Sequence, residues 1–210
     1  MAKILITSGP TRQYVDPVRY ISNASSGQMG SCLAQAALDL GHEVTIISGP
    51  VLVEYPKQAT LIDVVSTEDM LEAAIETFAT CDGLIGAAAP CDYRPIEVAD
   101  HKIRKTGEVL QLKLVETPDV VATLGANKKA NQWTVGFALE TEDARFRALA
   151  KLQRKSCDLV VLNGVAAINS TENSIEIIEP SGDVLKSVSG SKQKVAAEIL
   201  SVIGKRLIQA

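Results

Sequence analysis

The sequence predicts an α/β fold: a mostly parallel sheet with helices on both faces. Two observations carry this. Short β-rich runs alternate with longer stretches of helical periodicity along the chain, and the β-rich runs are nearly continuous in Val, Ile and Leu, as strands buried on both faces are. A third observation sets the scale. At 210 residues, 46% hydrophobic and 22% charged, the chain suits one sizeable domain that needs no disulfide or metal staple.

Lys3–Thr7 (KILIT) reads as the first buried strand. Ser26–Leu40 is rich in Ala and Leu and stops at Gly41, a natural helix C-cap. Glu43–Ser48 (EVTIIS) is the second strand. Thr67–Ala79 follows as a helix, with Thr67 in the N-cap role and Met70, Leu71, Ala74 and Phe78 at helical spacing. Asp82–Ala87 (DGLIGA) is a strand, Pro90–Thr106 an irregular polar stretch, and Val109–Val115 an alternating strand. Pro118–Ala126 is a short helix with Pro near its start. Gln132–Ala138 is a strand, Thr141–Lys155 a charged amphipathic helix, and Cys157–Leu162 a strand. Ser174–Ile178 and Val184–Val188 form a hairpin, and Lys192–Leu207 closes the chain as a helix. The sum is a three-layer, Rossmann-like domain. No repeat, low-complexity tract or linker divides residues 1–210, which are read as a single domain.

Composition excludes several function classes. The net charge is −4, whereas general nucleic-acid and anionic-membrane binders are basic. Aromatics are 4%, too few for a stacking platform along a single strand. Cys32, Cys81, Cys91 and Cys157 are scattered, and His42 and His101 are the only histidines, so no structural zinc site is available. The cysteine usage fits a reducing, cytoplasmic setting. No apolar run reaches the length of a signal-peptide core or a membrane span.

Ligands of such sheets bind beyond the carboxyl ends of the strands. The loop after the first strand is therefore the place to look. A dinucleotide-binding unit would turn from strand to helix through GxGxxG. Here Ser8 to Ser25 runs SGPTRQYVDPVRYISNAS before Ser26-Gly27-Gln28-Met29-Gly30 opens the helix. Loops this long in compact domains are usually functional, and this one is too apolar for a disordered linker. Ser25, Ser26 and Gly27 suit an anion, because helix N-terminal amides point outward and Gly allows close approach. Ser25 or Ser26 acting as a plain helix cap explains the same spacing equally well.

SGPTR at 8–12, DPVRYISNASSGQMG at 16–30, AAAPCDYRP at 87–95, KIRK at 102–105, TPDVV at 117–121, GFALET at 136–141, and Lys155, Asp158 and Asn163 in K-x-x-D-x-x-x-x-N occur in that order. The set resembles phosphopantothenoylcysteine synthetase, the phosphopantothenate–cysteine ligase of coenzyme A synthesis, in its bacterial, CTP-using branch. The resemblance spans essentially the whole chain. It implies that 4′-phosphopantothenate is joined to L-cysteine through an acyl-cytidylate, with CTP converted to CMP and pyrophosphate. It also implies a homodimer, to which the 174–188 hairpin or the 109–115 strand could contribute. The magnesium ion it implies is held mainly by the nucleotide phosphates, so no metal residue is named. In most bacteria this domain follows a flavin-dependent decarboxylase domain; none is present in these 210 residues, and Met1 does not settle whether the enzyme stands alone.

Residue by residue, the resemblance puts Asn23 at the acyl-cytidylate, where an uncharged amide orients an acyl group without repelling an anion. Arg19 and Ser25–Gly27 are neighbours able to hold phosphate. Gly86 and Asp92 fall at the nucleotide. Pro90 and Cys91 depart there from the family's AAVADYR wording, and Pro90 lacks an amide donor. Cys91 reads as a core cysteine, since no His partner is evident. Lys102 matches the flap lysine that assists the chemistry; Arg104 replaces a lysine in the same flap. Pro118, Asp119, Val120 and Val121 match a segment along the nucleotide, and Phe137 a residue beside the cytosine. Lys151 and Lys155, one helical turn apart, match lysines at the phosphates. Asn163 matches a position without assigned chemistry. Two other readings compete. A nicotinamide or flavin oxidoreductase lacks its glycine fingerprint and the Tyr-x-x-x-Lys pair of short-chain reductases. A non-catalytic nucleotide-binding module leaves Asn23, Asp92 and Lys102 without a purpose.

Overall fold

The computed structural model describes residues 1–140, 142–164 and 172–208. Thr141 of the GFALET stretch lies outside them. The strands are β1 (Lys3–Ser8), β2 (Arg12–Tyr14), β3 (Tyr20–Ser22), β4 (Glu43–Ser48), β5 (Thr60–Asp63), β6 (Gly83–Gly86), β7 (Tyr93–Pro95), β8 (Leu114–Glu116), β9 (Trp133–Leu139), β10 (Leu159–Asn163), β11 (Glu172–Ile178) and β12 (Val184–Ser191). The helices are α1 (Gln28–Asp39), α2 (Thr67–Phe78), α3 (Val120–Asn127), α4 (Ala144–Arg154) and α5 (Lys192–Ile203), the last running on into a π-helical turn, Gly204–Ile208.

An eight-stranded sheet has the order β12-β11-β10-β9-β6-β1-β4-β5. Every pair from β5 to β10 is parallel, and the β11–β12 hairpin adds antiparallel strands at one edge. Both faces of β1 are buried. Ile4 and Ile6 join the cluster under α1 and α5, while Leu5 joins Met70, Phe78, Leu84 and Leu124 under α2 and α3. Ala148 and Leu152 of α4 cover β9 and β10 through Ala138, Val160 and Leu162. The layers are therefore helix, sheet, helix, as the alternating pattern predicts.

The chain winds outward from β1 through β4 to β5, then returns to place β6 on the other side of β1. This reversal leaves a crevice beyond the carboxyl ends of β1 and β6, where open α/β sheets receive ligands.

Two local expectations need correction, and one strand was not anticipated. Helix α2 is capped by Ser66, not Thr67. Ser66 Oγ accepts from the Asp69 amide at 3.0 Å, and Asp69 returns the bond to the Ser66 amide at 2.9 Å. Thr67 is buried instead, its hydroxyl 2.8 Å from that of Thr11. The stretch 109–115 is strand only at its end. Leu114–Glu116 pairs with Tyr93–Pro95 in a separate two-stranded sheet, and Val109, Leu110 and Leu112 face solvent; alternation without a surface to pack on does not make a sheet strand. Strand β5 carries no sequence signal because it is a four-residue, largely exposed edge.

Candidate functional site

Two clefts occupy the crevice and meet at Ala88 and Phe137. The first, about 390 Å³, lies between the loop after β6 and the start of α3. Gly86, Pro90, Asp92, Pro118–Val121, Phe137 and Lys155 line it, with Cys91, Glu116, Thr117 and Arg154. The second, about 230 Å³, lies over the start of α1. Ser25, Ser26, Gly27, Phe137, Asn163, Asn173 and Lys192 are among its lining residues.

The first cleft is held open by small residues and backbone ties. A Cβ on Gly86 would stand 2.4 Å from Val121 Cγ2, so a side chain there would collide with α3. Cys91 is buried and its backbone is gripped on both sides. Its amide donates to Thr11 Oγ1 at 2.7 Å, and its carbonyl accepts from Thr67 Oγ1 at 3.2 Å and Thr117 Oγ1 at 2.6 Å. Asp92 follows immediately and projects outward from this fixed point, its own carbonyl bound to the Thr117 amide at 2.9 Å. Cys91 thus serves as packing, as its sequence context indicates.

Asp119 caps α3 through the Ala122 amide at 3.1 Å and pairs with Lys155 Nζ at 3.1 Å. The Lys155 ammonium therefore stands at the N-terminus of α3, where amides and the helix dipole also favour an anion.

The second cleft is shaped by Gly27. It is the N-cap of α1 with φ +74°, and no side chain caps the helix. Ser26 Oγ lies 3.4 Å from the Gln28 amide, a weak contact. The first-turn amides thus remain available to a ligand, which favours the anion-binding reading of Ser25–Gly27 over the capping one. Tyr55, which no sequence signal marks, steadies this turn from below. Its hydroxyl donates to Ser8 Oγ at 2.9 Å, and Ser8 Oγ donates to the Gly27 carbonyl at 3.3 Å. Asn173, missed for the same reason, donates to Asn163 Oδ1 at 3.2 Å and fixes that amide at the cleft floor.

Asn23 ties the clefts to the long first loop. Its Nδ2 donates to the Pro90 carbonyl at 2.9 Å and more weakly to that of Ala89 at 3.4 Å. Pro90 thus contributes an acceptor, and its missing amide costs the site nothing on this side.

Three expected cations stand elsewhere. Lys151 pairs with Glu140 at 2.5 Å rather than lining either cleft. Arg19 is committed to the buried Asp16 and to the Ile103 carbonyl. Lys102, with Arg104 and Lys105, is exposed in the irregular stretch outside both clefts. Arg19 pairs with a carboxylate three residues away on its own turn, Lys151 with one just beyond β9, and Lys102 has no ion-pair partner among the described residues.

Known proteins share this fold and much of this sequence. The family described as "DNA/pantothenate metabolism flavoprotein C-terminal domain" matches residues 1–207. The chain is 40% identical over 206 residues to the coenzyme A biosynthesis bifunctional protein CoaBC of Haemophilus influenzae, covering 97% of this chain and 51% of that protein. It is 43% identical over 206 residues to a cysteine/cysteine sulfinic acid decarboxylase from an unidentified prokaryote, covering 96% of this chain and 57% of that protein. The chain thus spans about half the length of the curated relatives it matches. The crystal structure of the C-terminal domain of a CoaBC protein superposes with a TM-score of 0.85 at 36% identity, covering 100% of this chain and 97% of that one. The shared fold, the near-complete match and the identity together establish that the chain belongs to the DNA/pantothenate metabolism flavoprotein C-terminal domain family.

Proposed function

We propose that this chain is the phosphopantothenate–cysteine ligase of coenzyme A synthesis and that it uses CTP. The observation that carries this reading is the meeting of two differently equipped clefts at Ala88 and Phe137. The first suits a nucleoside triphosphate: an aromatic face at Phe137, a carboxylate at Asp92 for sugar or base donors, and Lys155 at the start of α3. The second suits a phosphorylated acid, with its phosphate on the uncapped first turn of α1. Bound so, the acid's carboxylate faces the α-phosphate across the shared wall.

A carboxylate oxygen then attacks the α-phosphorus, the bond to the β-phosphate breaks, and pyrophosphate leaves. The amine of cysteine next attacks the acyl carbon of the mixed anhydride, the bond to the cytidylate oxygen breaks, and CMP leaves with the amine proton lost to solvent. Asn23 orients the acyl group. Lys102, whose backbone lies outside both clefts, reaches in with its long side chain and offsets the charge that builds on the phosphate, the kind of positioned electrostatic contribution that dominates such reactions. Among the described residues, no three His, Cys, Asp or Glu side chains gather as a metal cage. Asp92 and Asp119 line the first cleft, which fits a magnesium ion that arrives on the triphosphate and keeps much of its water. That ion would supply charge neutralisation of the phosphates.

The working unit in this reading is a homodimer, joined through the exposed apolar stretch Val109, Leu110, Leu112, Leu114 and Val115. A cytoplasmic setting agrees with four free, buried cysteines. Among the described residues no helix is long and apolar enough to cross a membrane.

Incubation with magnesium, CTP and 4′-phosphopantothenate, followed by cysteine, tests the reading. Pyrophosphate is expected first, and CMP with the amide product after cysteine is added. Folded protein that consumes no CTP would overturn it, and replacing CTP by ATP tests nucleotide choice separately. Lys102→Gln is expected to lower kcat by about 10²-fold, the loss typical of one transition-state contact. Its thermal stability should stay within about 0.5 kcal/mol of wild type, as for most exposed positions.

A further inference from the structure

Asp16 lies in the turn between β2 and β3, 87 residues before Ile103, and is completely buried. Its two oxygens have separate duties. Oδ1 accepts the amides of Val18 and Arg19, each at 2.9 Å, and so builds the turn. Oδ2 accepts Arg19 Nε at 3.0 Å, Arg19 Nη2, and the amide of Ile103 at 3.1 Å. Arg19 Nη2 also donates to the Ile103 carbonyl at 2.9 Å. Both backbone groups of Ile103 are therefore held by one buried ion pair.

Among the described residues, no other hydrogen bond or ion pair ties residues 101–105 to the rest of the chain. Residues 101–106 lie in no helix or strand, and Lys102, Arg104 and Lys105 are exposed. The nearest backbone tie before it joins the Ala99 amide to the Val15 carbonyl at 3.0 Å, again on the β2–β3 turn. The same turn leads through β3 to Asn23, whose amide reaches the Pro90 carbonyl at 2.9 Å. One short hairpin thus connects to Asn23 along the chain and to Lys102 through space.

We propose that Asp16 is a positioning residue for the reaction: with Arg19 it latches the Ile103 backbone to the β2–β3 turn and so sets Lys102 relative to Asn23. The inference rests on the roles given above to those two residues. Arg19 acts as the second jaw of the latch. Its planar fork serves a carboxylate and a carbonyl at once, which a lysine ammonium cannot reproduce. The Arg19 guanidinium and the three amides together hold the Asp16 carboxyl well below the usual carboxylate range, against the opposing effect of burial. The latch is accordingly charged, and closed, throughout the neutral range.

The test uses Asp16→Asn in the full chain. An asparagine keeps one oxygen for the Val18 and Arg19 amides but places an NH2 group where Ile103 and Arg19 need an acceptor. Hydrogen exchange at the Ile103 amide is expected to quicken about 10-fold or more, while Val18 and Arg19 stay protected. In the ligase assay kcat is expected to fall by about 10–100-fold, the scale of a small misplacement of a reacting group, with little change in KM for CTP. Adding Lys102→Gln to Asp16→Asn should cost little beyond the larger single loss, because one residue acts through the other. Should Asp16→Asn fail to fold, Arg19→Lys is read by the same three measurements. Unchanged exchange at Ile103, or losses that multiply in the double variant, overturns the latch. If the wild-type chain turns over no CTP, the ligase reading falls by itself, and exchange at Ile103 still decides whether Asp16 holds this segment.

Discussion

Cys157 and Gly27 show how single residues answer to their surroundings. Burial behind α4 pushes the Cys157 thiol up to about 11. In the unfolded chain a thiol ionises near 8.5. Between those values the folded chain holds a proton that the unfolded chain has lost, so stability must fall as pH rises, by about 1.4 kcal/mol per unit for this group. Thermal melts from pH 8 to 10.5 should show that slope, and Cys157→Ala should flatten it. A slope equal in both proteins would assign the loss to other groups. At Gly27, φ is +74° and an added Cβ would stand 3.0 Å from Tyr55 Oη and from Val51 Cγ1. Gly27→Ala is expected to cost about 1 kcal/mol or more and to raise KM for phosphopantothenate more than KM for CTP. Equal rises in both would remove the phosphate from the start of α1. Motif wording pointed to Asp92 and Lys155, which line the first cleft, and to Asn23, whose amide reaches the Pro90 carbonyl. The Ile103 carbonyl beside Arg19 and the Glu140 carboxylate beside Lys151 were not readable there, because spacing on the chain says nothing of which distant group folds against a cation.

Among the elements, α2 and the 109–115 stretch mark the limits of local pattern. The capping-box bonds between Ser66 and Asp69 make the start of α2 a local feature. Ser66→Ala is expected to cost about 1 kcal/mol and lower Tm by about 2–4 °C, with kcat unchanged. A fall in kcat alone would instead tie Ser66 to the site. The helical period located α2 correctly, and the cap was misjudged by one residue. Ser66 and Thr67 are both good caps, and only the buried hydroxyl of Thr11 decides which of them turns inward. The short edge β5 and strand β7 were similarly silent, since neither has two buried faces to impose a pattern.

The whole molecule adds what no segment holds. Leu110 and Leu112, exposed in one chain, are expected to be covered in the proposed dimer. Leu110→Glu with Leu112→Glu should sediment as one chain where the parent sediments as two. An unchanged mass would move the interface elsewhere, with the β11–β12 hairpin next to examine. At this scale the α/β class, the parallel sheet, the clefts at the strand ends and the family were all present in the sequence. Each rests on a repeating or contiguous signal: strand hydrophobicity, helical period, or an ordered series of motifs. The strand order, the two clefts sharing Ala88 and Phe137, and the Asp16–Arg19 hold on Ile103 were decided only by tertiary structure. Their members lie tens of residues apart, and the energy that joins them arises when folding closes those loops and takes the groups between them out of water.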